Sequence, residues 1–329
     1  MPMPPLDQIH PHVVALPLTT RFRGIDVREA VVFEGPAGWT EFSPFAEYDD
    51  EEAAVWLAAA LDFGWAAQPV AVRDTVPVNA TMPAVAAASV DDVLARYDGC
   101  RTVKVKVAEP AQTLADDIAR VRTVRAAIGA AGRIRVDANG GWNVDEAEHA
   151  VHALAEFDLE YVEQPCPSVA ELAELRRRIR YLGIPVAADE GVRKADDPLH
   201  VAREGAADLL VAKAQPLGGV RRALGIVADA GLPAVVSSAL DTSIGLGMGL
   251  ALAAALPELD YDCGLGTGSL LAHDVTAEPL RAIRGEIAVR RAVADPGLLR
   301  AFAAPAARRD WWIARLERCH ALLAAPRVE

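Results

Sequence analysis

From about residue 101 to 267 the chain keeps one rhythm: a short run of apolar and β-branched residues, a loop with Gly, Pro or Asn, then alanines, leucines and charges at helical spacing. The runs RTVKVKVA, RIRVDAN, LEYVEQP, IPVAADE, DLLVAKAQ, PAVVSSAL and DYDCGLGT predict strands. LADDIARVRTVRAAI, VDEAEHAVHALAEF, VAELAELRRRIRYL and GVRRALGIVADAG predict helices between them. VPVNATMP, at 76 to 83, supplies a first strand and brings the count to eight. Eight such units fit a doubly wound sheet or a barrel, and no G-x-G-x-x-G follows the first strand, which favours the barrel.

The pattern changes on either side. In residues 1–75, VREAVVFEGPAGWTEFSPF reads as a hairpin turning at Gly35 to Gly38, and EEAAVWLAAALDFGW as a helix, together a separate α+β module. Residues 76–271 form the expected barrel. The segment 272–329, with PGLLRAFAAP and WWIARLERCHALLAA, reads as helix packing back on the barrel or on that module.

With 329 residues, 52% of them hydrophobic, the chain can bury a large core. Its net charge of −13 argues against nucleic acid or an anionic membrane as the main partner. The four cysteines are far apart and form neither a disulfide framework nor a zinc motif. No signal peptide or membrane-spanning run is evident, so the expected location is the cytoplasm. Oligomeric state stays open.

Candidate chemistry lies at the strand ends. Lys106, Asp137, Glu163, Asp189 and Lys213 end five consecutive predicted strands, at intervals of 31, 26, 26 and 24 residues, each about one βα unit. All five therefore reach the C-terminal rim of a barrel, where active sites of this architecture sit. Three adjacent carboxylates form a hard-oxygen set suited to Mg²⁺. The two lysines, on opposite sides of the circle, would flank a substrate resting there. That arrangement suits proton abstraction beside a carboxylate. A like-charged neighbour and a divalent ion would both favour a neutral lysine.

These residues resemble the enolase superfamily, in particular its muconate-lactonizing subgroup: KVKV at 104–107, DAN at 137–139, EQP at 163–165, DE at 189–190 and AKAQPLGG at 212–219. The resemblance spans the chain and implies an α/β fold, a modified (β/α)7β barrel with an α+β capping domain built from residues 1–75 and completed by 272–329. It implies Asp137, Glu163 and Asp189 as Mg²⁺ ligands, with Mn²⁺ as an alternative ion, and Lys106 and Lys213 as acid/base residues. Lys104 would support Lys106, and Asn139 and Glu190 would orient ligands or screen a lysine; for Glu190 an ordinary helix-start acid is an equal alternative.

Within the subgroup, RFRGI, EGPAGWTEFSPFAEYDD, IRVDANGGW and SSALDTSIGL make the chain most similar to the o-succinylbenzoate synthases of actinobacteria. That resemblance implies dehydration of a cyclohexadiene carboxylate on the way to menaquinone, a small-molecule carboxylate being the expected partner. Arg135 shares a strand face with Asp137 and reads either as a substrate-linked arginine or as a salt-bridged arginine of the barrel core. Ser237, Ser238 and Gly264 read either as groups holding a second substrate carboxylate or as tight turn geometry. Arg21 and Arg23 read either as lid residues or as solvated hairpin charges. The rival activity on this scaffold is N-acylamino-acid racemisation or dipeptide epimerisation, which would use the same lysines. An epimerase would be expected to carry an acid for the substrate amine near CGLGTG, where only Asp262 stands. A non-catalytic scaffold would be expected to lack one of the five ionisable residues.

Overall fold

The computed structural model describes residues 3–193 and 197–325. It opens with an antiparallel sheet, β1 (His12–Phe22), β2 (Ile25–Gly35) and β3 (Gly38–Phe42), followed by α1 (Asp50–Trp65). The β1–β2 turn has only two residues, Arg23 at φ 49° and Gly24 at φ 76°, with Phe22 paired to Ile25. Two consecutive positive φ values make the tight turn whose twist matches its flanking strands. The second hairpin turns between Gly35 and Gly38, as its sequence predicts. A Cβ on Gly35 would run into the Gly64 backbone, so this glycine lets the hairpin lie directly on α1. Asp49 caps α1 by accepting from the Glu52 N–H at 2.8 Å.

The barrel follows: β4 (Thr75–Pro77), β5 (Ala80–Met82), α2 (Val90–Leu94), β6 (Thr102–Lys106), α3 (Leu114–Ile128), β7 (Arg133–Asp137), α4 (Val144–Leu154), β8 (Leu159–Glu163), α5 (Val169–Ile179), β9 (Val186–Ala188), α6 (Glu190–Arg193), α7 (His200–Arg203), β10 (Leu209–Ala212), α8 (Val220–Ala230), β11 (Ala234–Val236) and α9 (Ser243–Ala255). β5 to β11 form one parallel sheet in sequential order. α3, α4 and α5 each begin with a reciprocal capping box, Thr113 with Asp116, Asn143 with Glu146 and Ser168 with Glu171. Each box sets where its βα loop ends.

Two expected strands differ. The first is split into β4 and β5, and β4 pairs with a late strand, β12 (Glu286–Ala288). The predicted eighth strand is reduced to single bridges, Val78 with Cys263 and Ser237 with Gly264. Asn79 N–H donates to Cys263 O at 2.9 Å and Gly264 N–H to Val236 O at 2.8 Å, so two residues close the ring. Gly264 and Gly266 press against Ser237 and Asn79, too closely for side chains, and the chain then turns into a 3₁₀ segment.

The tail is also less helical than expected: helix is confined to α10 (Pro296–Ala301) and α11 (Ala306–Ala324), and residues 272–295 are extended or irregular apart from β12. The predicted helix beyond residue 325 lies outside the described residues. α11 packs Trp312 and Leu316 against Phe42, Trp56 and Leu57, giving this N-terminal module, the cap, a core of its own. The larger core lies between the barrel strands and their helices, and a small one, Tyr161, Ala187, Leu209, Val211 and Val235, fills the barrel interior.

Cap and barrel meet through a buried polar joint. Arg28 of β2 donates to Ala239 O at 3.2 Å and Leu240 O at 3.1 Å, and also to Ser43 O. Glu41 of β3 accepts from Ser43 Oγ at 2.6 Å, Thr242 Oγ1 at 2.5 Å and Gly245 N–H at 3.1 Å. These contacts hold the loop after β11, where Leu240 sits at φ 63°.

Candidate active site

Strand register brings the sequence candidates together. Lys106 pairs with Asp137 across β6 and β7, Asp137 with Glu163 across β7 and β8, and Asp189 and Lys213 immediately follow β9 and β10. Asp137, Glu163 and Asp189 are each 1% exposed or less. Three buried anions side by side need counter-charge. Lys104 Nζ lies 2.7 Å from Glu163 and 3.1 Å from Asp137, Lys106 Nζ 2.5 Å from Asp137, and Lys213 Nζ 2.5 Å from Asp189.

Burial would raise the carboxyl of Asp137, but Lys106 and Lys104 outweigh it and hold that group well below the usual range. Burial likewise opposes ionisation of Asp189, and Lys213 and Arg193 bring it down to about 2. Glu163 goes the other way: burial and the neighbouring Asp137 push it up to about 7 against the pull of Lys104. Lys106 is lowered, first by burial and then by Lys104, with Asp137 opposing. The direction expected of a base is therefore present in the chain's own residues, and burial is its main cause.

Asn139, at φ 48°, accepts from Lys106 Nζ at 2.6 Å and donates to Glu190 Oε1 at 3.3 Å. Glu190 in turn takes a 2.6 Å bond from Arg193, which also donates to Asp189 at 3.1 Å and to the Tyr48 hydroxyl at 3.1 Å. Gln164 Oε1 accepts from the Asp189 N–H at 2.9 Å and the Gly191 N–H at 3.1 Å. Sequence reasoning missed Arg193 and Gln164. Arg193 was detectable one helical turn after Asp189, and Gln164 as the middle residue of EQP.

Arg135 is not brought to this cluster. Its Nε lies 2.5 Å from Glu160, and its Nη1 donates to Asn79 at 3.1 Å and to Asp262 O at 2.5 Å, with its guanidinium 4.9 Å from the Tyr161 ring. The structure places it as the salt-bridged core arginine and not beside the cavity over the cluster. Ser237 and Ser238 do reach that cavity, with hydroxyls 3.3 Å and 2.9 Å from Gly264 O, and Ser238 also bonds Thr267 at 2.7 Å. Gly264 serves close packing, because a Cβ there would meet the Ser237 hydroxyl.

The cavity over the cluster is lined by Phe22, Arg23 and Phe45 from the cap, and by Thr81, Lys104, Lys106, Asn139, Lys213, Ser237, Ser238, Ala239, Leu240, Gly264 and Thr267. Its volume is about 30 Å³, room for roughly one water, so a larger molecule enters only when side chains part. A larger cleft of about 540 Å³, among Arg176, Arg177 and Arg180, lies before β9 at the other end of the barrel. There Arg176 is tied to Asp208 and Arg177 to Glu174, and no acid–base set converges.

Among the described residues no three carboxylates stand at the spacing of a metal site; Lys104 bridges Asp137 and Glu163, and Lys213 lies against Asp189. The donor set nevertheless fits a hard dication: three buried carboxylates on adjacent strand ends, with Glu163 raised by burial first and by the neighbouring Asp137 second.

Residues 85–299 match the enolase C-terminal domain-like family and residues 13–64 the enolase N-terminal domain-like family. The chain is 56% identical to the o-succinylbenzoate synthase of Mycolicibacterium smegmatis over 324 residues, 98% of this chain and 99% of that protein. It is 54% identical to that of Mycobacterium marinum over 319 residues, 97% of this chain and 95% of that protein. The chain belongs to the o-succinylbenzoate synthase family of the enolase superfamily. In fold, this family member is similar to muconate lactonizing enzyme from Pseudomonas putida, with TM-score 0.72 and 19% identity over 90% of this chain and 99% of that one. It is equally similar to L-Ala-D/L-Glu epimerase from Bacillus subtilis, with TM-score 0.73 and 21% identity over 89% of this chain and 98% of that one. The enolase-type α/β barrel with an N-terminal cap is thus shared with both. No helix among the described residues is long and apolar enough to cross a membrane.

Proposed function

We propose that this chain is a cytoplasmic hydro-lyase of menaquinone synthesis, dehydrating 2-succinyl-6-hydroxy-2,4-cyclohexadiene-1-carboxylate to o-succinylbenzoate. In this reading residues 1–75 and 272–329 form the cap and 76–271 the catalytic barrel. Lys106 takes the proton from the carbon bearing the carboxylate. The C–H electron pair moves into the carboxylate as an enediolate, then returns to form the new ring double bond as hydroxide departs. Lys106 gives its proton to that hydroxide on the same face, so water leaves and the ring becomes aromatic. Lys213 stays charged on the opposite face and stabilises the enediolate. Asp137, Glu163 and Asp189 would hold Mg²⁺, or Mn²⁺ in its place, which when bound supplies positive charge for the substrate carboxylate. Arg193, Gln164 and Asn139 fix the ligands and the base.

The observation that carries this reading is the placement of two lysines at the first and last of three adjacent buried carboxylates, each 2.5 Å away. The choice of synthase over epimerase is supported by full-length identity to synthases and by the cavity lining, which among the described residues contains no carboxylate to receive a substrate amine. Asp262, the acid immediately before CGLGTG, instead accepts from Thr102 Oγ1 at 2.6 Å. The test is turnover of the cyclohexadiene substrate by purified protein with Mg²⁺, alongside a panel of N-acylamino acids. Loss of o-succinylbenzoate formation on chelation, restored by Mg²⁺, is expected. Racemisation without dehydration would overturn the reading.

A further inference from the structure

The lining of the cavity carries four cations, Lys104, Lys106, Lys213 and Arg23, and no carboxylate among the described residues. Three of them are balanced from behind by the buried acids. Arg23 is not. Among the described residues it forms no ion pair and no side-chain hydrogen bond; its guanidinium lies 4.3 Å from the Phe45 ring centroid, and Arg28, another cation, lies close enough to feel its charge. Arg21, two residues earlier, makes a useful contrast, since it points to solvent and is paired with Asp26 at 2.5 Å.

Arg23 is also held in place. It occupies the left-handed first position of the two-residue β1–β2 turn, and the Phe45 ring it rests on also lies 4.4 Å from Arg28, itself anchored to Ala239 O and Leu240 O. The neighbouring Phe22 ring lies 5.4 Å from Lys106 Nζ, so this turn sits directly over the base. A guanidinium that is preorganised, unneutralised and facing a closed cavity recognises an anion, above all a carboxylate in bidentate fashion.

We propose that Arg23 binds the distal carboxylate of a dicarboxylate substrate, the one remote from the reacting carbon. This rests on the synthase reading, in which one carboxylate lies at the Lys106–Lys213 cluster and the succinyl arm carries a second. Arg23 closes the cap onto that arm, while Arg21 takes no part.

The test compares two inhibitors of the Mg²⁺-loaded enzyme: o-succinylbenzoate, and 2-butyrylbenzoate, in which a methyl replaces the distal carboxylate. Wild-type enzyme is expected to prefer the dicarboxylate by about 30-fold, the scale of one charge-assisted hydrogen-bonded pair. Arg23→Asn suits the left-handed turn and removes the charge; it should bring the preference within about threefold and raise KM with little change in kcat. Arg23→Lys should recover part of the preference, and Arg21→Asn should leave it intact. Equal weakening of both inhibitors in Arg23→Asn would mean the residue only shapes the turn, and an unchanged preference would mean it does not touch substrate; either result overturns the proposal. Wild-type enzyme that neither turns over the cyclohexadiene substrate nor binds its product would instead overturn the synthase reading beneath it.

Discussion

Lys106 and Lys213 sit in unlike surroundings. Lys106 donates to both Asp137 and Asn139 and is pulled toward neutrality by burial and by Lys104, whereas Lys213 is tied to Asp189. A base must shed its proton and an electrostatic partner must not, so the two should respond differently to replacement. Lys106→Ala is expected to lower kcat by about 10³-fold or more with its fold intact by circular dichroism, and Lys213→Ala to do the same. Lys213→Arg keeps the charge and should retain measurable dehydration but no racemisation; equal survival or equal loss of both would contradict the assigned roles. The five strand-end charges were legible because each is an ionisable residue closing an apolar run at one βα spacing. Arg193 and Gln164 were hidden for the opposite reason: one is a charge in a short helix, the other a neutral amide. Arg135 was half legible. The two-residue period puts it on the face of Asp137, but two residues of strand rise, about 7 Å, set it a layer below the cluster.

Among the elements, α1, α3, α4, α5 and α8 were read best, since their charge and apolar periodicity extends over three or four turns. The strand runs around the barrel were read well where β-branched residues continue, as in β6, β7 and β8, and poorly where glycine or proline interrupts. DYDCGLGT fails as a strand because its glycines serve close contacts with the first and seventh strands, which a string of residues does not display. The same feature makes α9 testable. This helix is buried along nearly its whole length, and a Cβ on Gly245 would meet the Glu41 carboxyl carbon at 2.8 Å. Gly245→Ala should therefore destabilise the protein by about 1–3 kcal/mol through overpacking. Gly225 in α8 has nothing within 4 Å of the corresponding position, so Gly225→Ala should stabilise by about 0.5–1 kcal/mol. Urea denaturation of the two variants, compared with wild type, measures both; the same sign of effect in both would show that helix propensity and not the cap contact governs α9.

For the molecule as a whole, the joint between cap and barrel decides whether the cavity has a roof. A closed volume of about 30 Å³ means that substrate entry requires relative movement, yet Arg28 and Glu41 fasten the cap to the loop that forms the cavity wall. Glu41 makes the docked joint sensitive to pH. Burial first and Asp241 second push its carboxyl up to about 7 from 4.5, overcoming the hydrogen bonds of Ser43 and Thr242 and the charge of Arg28. Asp241, buried beside it, is raised for the same first reason and is held by Gln215 at 2.9 Å. The folded joint thus keeps its proton up to about pH 7, while the unfolded chain releases it near 4.5. Between those values the unfolded state binds fewer protons, so rising pH favours unfolding and the stability from this proton is lost, on the order of 3 kcal/mol in all. Glu41→Gln keeps an acceptor for Thr242 and Gly245 but never ionises. Its stability relative to wild type should therefore climb as pH rises from about 4.5 to about 7 and then level off, as read from denaturation midpoints across that range. A difference that is flat, or that falls with pH, would show that the carboxyl is ionised in the joint and that the cap is held as an ion pair with Arg28.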